Sequence, residues 1–158
     1  MLGRELGELP VIAEDLGVIT PDVEELRDRF GFPGMRILQF GFVGDAGHAF
    51  LPHNYLANCV VYTGTHDNNT VLGWFADSGE VERGHACEYL SCKPEELHWA
   101  MIRAVAGSVA RMAVYQMQDV LGWGGASDEC AWEDGVLDVA VWVGDGRRGA
   151  GAAVGLVE

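Results

Sequence analysis

The chain lacks any apolar run approaching the roughly 20 residues that a membrane-spanning helix requires, so hydropathy gives it no membrane span. It is also short of basic residues. Ten Lys and Arg face 24 Asp and Glu, for a net charge of −14. A field of that sign repels phosphate backbones and anionic lipid, which argues against nucleic acid and membrane surfaces as partners. A neutral substrate meets no such opposition. Cysteine is sparse: Cys59, Cys87, Cys92 and Cys130 form no C-x-x-C pair, and no His stands at a matching spacing. No metal site is expected, and the thiols are expected to be free, as in a reducing compartment. Met1-Leu2-Gly3-Arg4 runs straight into acids, without the apolar core of a signal peptide.

What is present is organised around Val60-Val61-Tyr62-Thr63-Gly64-Thr65-His66-Asp67-Asn68-Asn69-Thr70. Its first half is apolar, β-branched and aromatic, and reads as a buried strand. Its second half turns abruptly polar. Two readings compete: a strand followed by an Asn-rich turn, or a strand delivering His66, Asp67 and Asn68 to a cleft at its carboxyl end, as α/β barrels do. A second stretch has the same design. Leu9-Pro10-Val11-Ile12-Ala13 meets Glu14-Asp15-Leu16-Gly17. Two strands that each end in a carboxylate suit glycoside chemistry, in which one acid protonates the leaving oxygen and other carboxylates face an oxocarbenium-like centre.

Taken in order, Leu2 to Leu9 reads as the end of a helix and Val11 to Ala13 as a strand. Thr20-Pro21-Asp22 opens a helix in which Val23, Leu26 and Phe30 share a face, Arg27 and Arg29 pair with acids at the surface, and Gly31 closes the turn. Strands are expected at Met35 to Phe40, Cys59 to Thr63 and Met112 to Met117. Helices are expected from Thr70, around Val81 to Leu90, and from Pro94 to about Ala110. Phe40 and Phe42 at a strand end are either core residues or sugar-stacking rings. His53-Asn54-Tyr55, in a Gly-rich loop, either faces the cleft or makes a turn. Asp119, also at a strand end, reads as structural. This alternation is that of a parallel α/β sheet, and right-handed crossovers put the carboxyl ends on one side.

Four separated blocks then become specific: Val11-Ile12-Ala13-Glu14-Asp15-Leu16-Gly17-Val18-Ile19-Thr20-Pro21, Phe32-Pro33-Gly34-Met35-Arg36-Ile37-Leu38-Gln39-Phe40, Leu51-Pro52-His53-Asn54-Tyr55, and the central stretch. In this order, from about Leu9 to about Gly124, the chain resembles the 4-α-glucanotransferases, also called amylomaltases or disproportionating enzymes. The resemblance implies a (β/α)8 TIM barrel. A complete one takes about 250 residues, so the 158 here are expected to carry roughly its second half, in residues 1–124. Residues 125–158 are expected to form an irregular tail. The family's Asn-x-Pro-Gly and Trp-x-Trp-Arg segments are not found there, and a change of reading frame is one reading of why.

The resemblance also implies roles. Glu14 would be the general acid/base of a retaining transfer of α-1,4-glucan segments between maltooligosaccharides. Asp67 would grip sugar hydroxyls at the distorted ring. His66, Phe40, Asn54 and Asn68 would contact substrate, and Asp15 would be scaffold. Asn69 stands where the family has Asp. The nucleophilic Asp of the family lies on a strand expected before Met1, so these residues alone are expected to be inactive. The alternatives are a non-catalytic glucan-binding remnant and an α-glucan hydrolase. No cofactor is implied, and the expected location is the cytoplasm, or a plastid in a plant or alga.

Overall fold

The computed structural model describes residues 11–124, together with the backbone of 138–141 and 154–157. Within that span, helix α1 is Pro21–Phe30 and strand β1 is Gly34–Ile37. Two short 3-10 turns, Leu38–Phe42 and Pro52–Asn54, lead to β2 at Cys59–Tyr62. Helices α2 (Val71–Asp77) and α3 (Glu80–Leu90) follow. A 3-10 turn at Pro94–Glu96 then runs into α4 at Leu97–Ala106. β3 (Met112–Gln116) passes directly into α5 (Met117–Leu121). Further along the chain, β4 is Asp138–Val141 and β5 is Val154–Val157.

The strands form one sheet in sequence order. β1, β2 and β3 are parallel, with Gly34 opposite Cys59, Ile37 opposite Tyr62, and Tyr62 opposite Val114. β4 and β5 add on antiparallel. β2 is buried along its whole length because both faces are covered. Cys59 and Val61 join Leu38, Phe42, Leu51, Val71, Leu97, Met101 and Val105 in the core beneath the helices. Val60 and Tyr62 join Ile37 and Val114 on the opposite face.

Local chemistry explains most boundaries. Thr70 caps α2, its Oγ1 accepting from the Gly73 N–H at 3.1 Å. Gly31 closes α1 in the left-handed region, at φ 68°. α4 buries Leu97, Met101, Ile102 and Val105, as their spacing predicts. It stops at Gly107 rather than running on to Ala110, and Val109 is exposed.

Several expectations are corrected. Val11–Ala13 forms no strand, and Val11 and Ile12 are exposed. Ala13 N–H donates to the Pro33 carbonyl at 2.9 Å. Pro33 has no N–H to return, and Met35 N–H, two residues on, goes to the Asp15 carboxylate at 2.7 Å. The side chain of Asp15 therefore takes the place of a ladder. β1 ends early, because the chain tightens at Leu38 into a 3-10 turn. α1 shows the largest reversal. Val23, Leu26 and Phe30 are exposed, and the residue that α1 buries is Arg27. Within the stretch expected to be irregular, β4 and β5 are strands. The helix expected at Leu2 to Leu9 and the remainder of 125–158 lie outside the described residues.

Candidate functional site

Glu14 is exposed, and the residue after it, Asp15, lies against Gly34. The contacts Ala13 to Pro33 and Asp15 to Met35 advance together along both stretches. The segment therefore runs in the same direction as β1, and its carboxyl end points the way of the ends of β1, β2 and β3.

Asp15 fixes that end. Its Oδ1 accepts from Met35 N–H, and its Oδ2 accepts from the Arg27 guanidinium and, at 3.2 Å, from Arg36. Burial alone would raise the Asp15 carboxyl. The Met35 amide and the two guanidinium groups outweigh it and hold the group below its ordinary value. A Cβ at position 34 would run into the Asp15 carboxylate, so Gly34 is what allows this close approach. The expectation that Asp15 is scaffold fits this arrangement, but its partner Arg27 was expected at the surface. Arg27 holds both Asp15 and Asp28, and its side chain is 7% exposed. It lies on the same stripe of α1 as Val23 and Phe30, which is the signal that sequence reading passed over.

Arg36 carries the connection further. Its guanidinium lies over the Phe50 ring at 5.5 Å, and Phe50 packs against Phe40 at 6.1 Å between ring centroids. Phe40 is 39% exposed, which leaves part of its ring available. The next residue back, Gln39, is buried and donates from Nε2 to the Asn69 carbonyl at 2.9 Å. A continuous set of contacts thus runs from the residue beside Glu14, through Phe50 and Phe40, to the turn after β2.

The turn reading holds for Asn68, while His66 and Asp67 face solvent. Asn68 makes the turn: its Oδ1 accepts from Thr65 N–H and Thr65 Oγ1, each at 2.9 Å. His66 and Asp67 are presented outward, with side chains 70% and 82% exposed and Nε2 to Oδ1 at 3.3 Å. Asn54, expected against sugar, spends its amide nitrogen on its own loop, donating to Ala46 and His48 carbonyls at 2.8 and 3.0 Å. His53 is held in the same loop, between Tyr89 OH at 2.7 Å and the Ala46 carbonyl at 2.8 Å. Asp119 is buried, accepting from Thr63 Oγ1 and Val71 N–H.

Among the described residues no group of three or more His, Cys, Asp or Glu is arranged to hold a metal ion, and no helix is long and apolar enough to cross a membrane. Chemically, the described residues offer one exposed acid, a second exposed acid 3.3 Å from an imidazole, and a part-exposed aromatic ring.

Comparison with known proteins extends this picture. The family model described as 4-alpha-glucanotransferase matches residues 1–129. A 4-alpha-glucanotransferase of Synechocystis sp. is 53% identical over 126 residues, covering 78% of this chain and 25% of the relative. That of Thermus thermophilus is also 53% identical over 126 residues, covering 75% of this chain and 25% of its own. The chloroplastic/amyloplastic enzyme of Arabidopsis thaliana is 46% identical over 127 residues, 80% of this chain and 22% of its own. Among solved structures, the amylomaltase of Streptococcus agalactiae in complex with acarbose superposes with a TM-score of 0.72 at 36% identity, covering 78% of this chain and 26% of that one. The chain spans about a quarter of the length of the relatives it matches.

Proposed function

Because the chain belongs to the 4-alpha-glucanotransferase family, we propose that it forms part of a (β/α)8 barrel cleft in which α-1,4-glucan segments pass between maltooligosaccharides with retention. Glu14 is the general acid/base. As the glycosidic C–O bond breaks, its proton goes to the leaving oxygen while a carboxylate nucleophile bonds the anomeric carbon. When the acceptor hydroxyl displaces that carboxylate, Glu14 takes the proton back. Asp67, with His66, grips hydroxyls of the distorted sugar, and Phe40 offers its ring to a sugar face. Asn68 and Asn54 serve by shaping the turn and the loop. The substrate pool is cytoplasmic, or plastidic in a plant or alga.

The observation that carries this reading is the contrast among four acids. Glu14 and Asp67 are exposed, whereas Asp15 and Asp119 are buried and engaged as acceptors. The two engaged acids cannot double as the attacking group, and on this reading the nucleophile belongs to another part of the barrel. We expect the 158-residue chain alone to give no disproportionation of maltotriose. A chimera in which residues 1–124 replace the matching quarter of the Synechocystis enzyme tests the rest. It should convert maltotriose to glucose and longer maltodextrins. Products no longer than the substrate would instead indicate transfer to water, and an inactive but folded chimera would favour a non-catalytic remnant.

A further inference from the structure

The turn that presents His66 and Asp67 is held by buried side chains from β3, from α5 and from the 3-10 turn after β1. Thr63, where it begins, and Val71, where α2 takes over, are fully buried. One carboxylate bridges them. Asp119 Oδ2 accepts from Thr63 Oγ1 at 2.7 Å, and Asp119 Oδ1 accepts from Val71 N–H at 2.7 Å. Between these ends, Gln116, also fully buried, donates from Nε2 to the carbonyls of Thr65 and, at 3.3 Å, Asn68. From the other side Gln39 donates to the Asn69 carbonyl, and its own N–H donates to the Thr63 carbonyl at 3.3 Å. Gly64 makes room for this, since a Cβ there would stand 2.7 Å from Gln39 Nε2.

An ionised carboxylate is suited to the bridge because both of its oxygens accept. An amide in its place keeps one acceptor for the Val71 N–H, and its own N–H groups find a partner in the Thr63 hydroxyl only if that hydroxyl gives up donating and turns to accept. His66 and Asp67 project into solvent, so the backbone of the turn sets where they stand. We infer that Asp119 and Gln116 are positioning residues: by tying Thr63 to Val71 and fixing the carbonyls between them, they hold the His66–Asp67 pair at the rim of the sheet. This deepens the reading of Asp67 as the sugar-gripping acid and rests on it for its purpose.

The test uses the full 158-residue chain and compares wild type with Asp119→Asn, Gln116→Met, Thr63→Val and Thr63→Ser. Amide hydrogen exchange is read residue by residue, together with the ring nitrogen resonances of His66. In Asp119→Asn, Gln116→Met and Thr63→Val, exchange across Thr65–Val71 should rise at least about tenfold, while Val60–Tyr62 and Ala113–Val114 keep their protection. Thr63→Ser, which keeps the hydroxyl, should restore the wild-type rate. The His66 resonances in the loosened variants should move toward those of Asp67→Asn, because the ring senses the neighbouring carboxylate. Equal loss of protection in strands and turn would mean a core role only and would overturn the inference. Unchanged exchange in the turn, or a His66 ring that does not respond, would do the same. Should Asp119→Asn fail to fold, the Thr63 and Gln116 variants decide the matter. No sugar enters these readouts, so a failed clamp is distinguished from a failed glucan role.

Discussion

Asp15 shows how one buried carboxylate can take over work that main chain would ordinarily do. It receives Met35 N–H where a strand partner would, and two guanidinium groups neutralise it. Asp15→Asn leaves those cations without their partner, which should cost about 3 kcal/mol at pH 7. The pH dependence has a definite sign. The Asp15 carboxyl is held below its ordinary value of 3.8 in the fold. Its contribution is therefore present above that value and is lost as pH falls through the lower folded one. Urea midpoints of wild type and Asp15→Asn should differ widely at pH 7 and converge as the pH drops below about 4. A gap that persists in acid would assign the loss to packing instead. At this scale the sequence drew attention to Glu14, Asp67 and Asp15 as acids that follow apolar runs, and the buried, hydrogen-bonded Asp15 agrees with its expected scaffold part. It did not disclose Arg27, since an Arg among acids on a helix reads as a solvated face until its tertiary partner is known.

Among the elements, α1 and α4 look alike in sequence and behave oppositely. Both carry apolar residues at helical spacing. α4 buries that face against α2, α3 and β3, and Met101 is fully enclosed. α1 leaves Val23, Leu26 and Phe30 exposed and is anchored through Arg27. Met101→Ala should cost about 3 kcal/mol, the range for opening a core cavity. Leu26→Ala should stay within about 0.5 kcal/mol, read by thermal or urea unfolding. Periodicity thus located both helices but could not say which face would find a partner. End signals were more dependable, because Pro21 at the start of α1, Gly31 at its end and the Thr70 hydroxyl at the start of α2 act within a single turn. The expected strand at Val11–Ala13 failed for a reason present in the sequence. Pro33 removes a donor from the partner stretch, and the Asp15 side chain takes Met35 N–H. Gln39 and Gln116 were not singled out, because a buried Gln reveals its use only when the carbonyls it holds are in place.

For the molecule as a whole, the order of strands and the parallel run β1-β2-β3 follow from alternating apolar and helical segments, whereas the antiparallel β4 and β5 did not show in the pattern. The topology places the ends of β1, β2 and β3 on one side, and the contacts through Arg36, Phe50, Phe40 and Gln39 link the Glu14 segment to the Asp67 turn. Glu14 as proton donor is the assumption on which the proposed chemistry stands. In the active chimera, Glu14→Gln should lower the rate on maltotriose at least about 100-fold, the range of general acid–base catalysis. The same variant should form its glycosyl-enzyme far more readily from α-maltosyl fluoride, whose fluoride leaves without needing a proton. Equal losses on both donors, or full activity on maltotriose, would contradict the assignment.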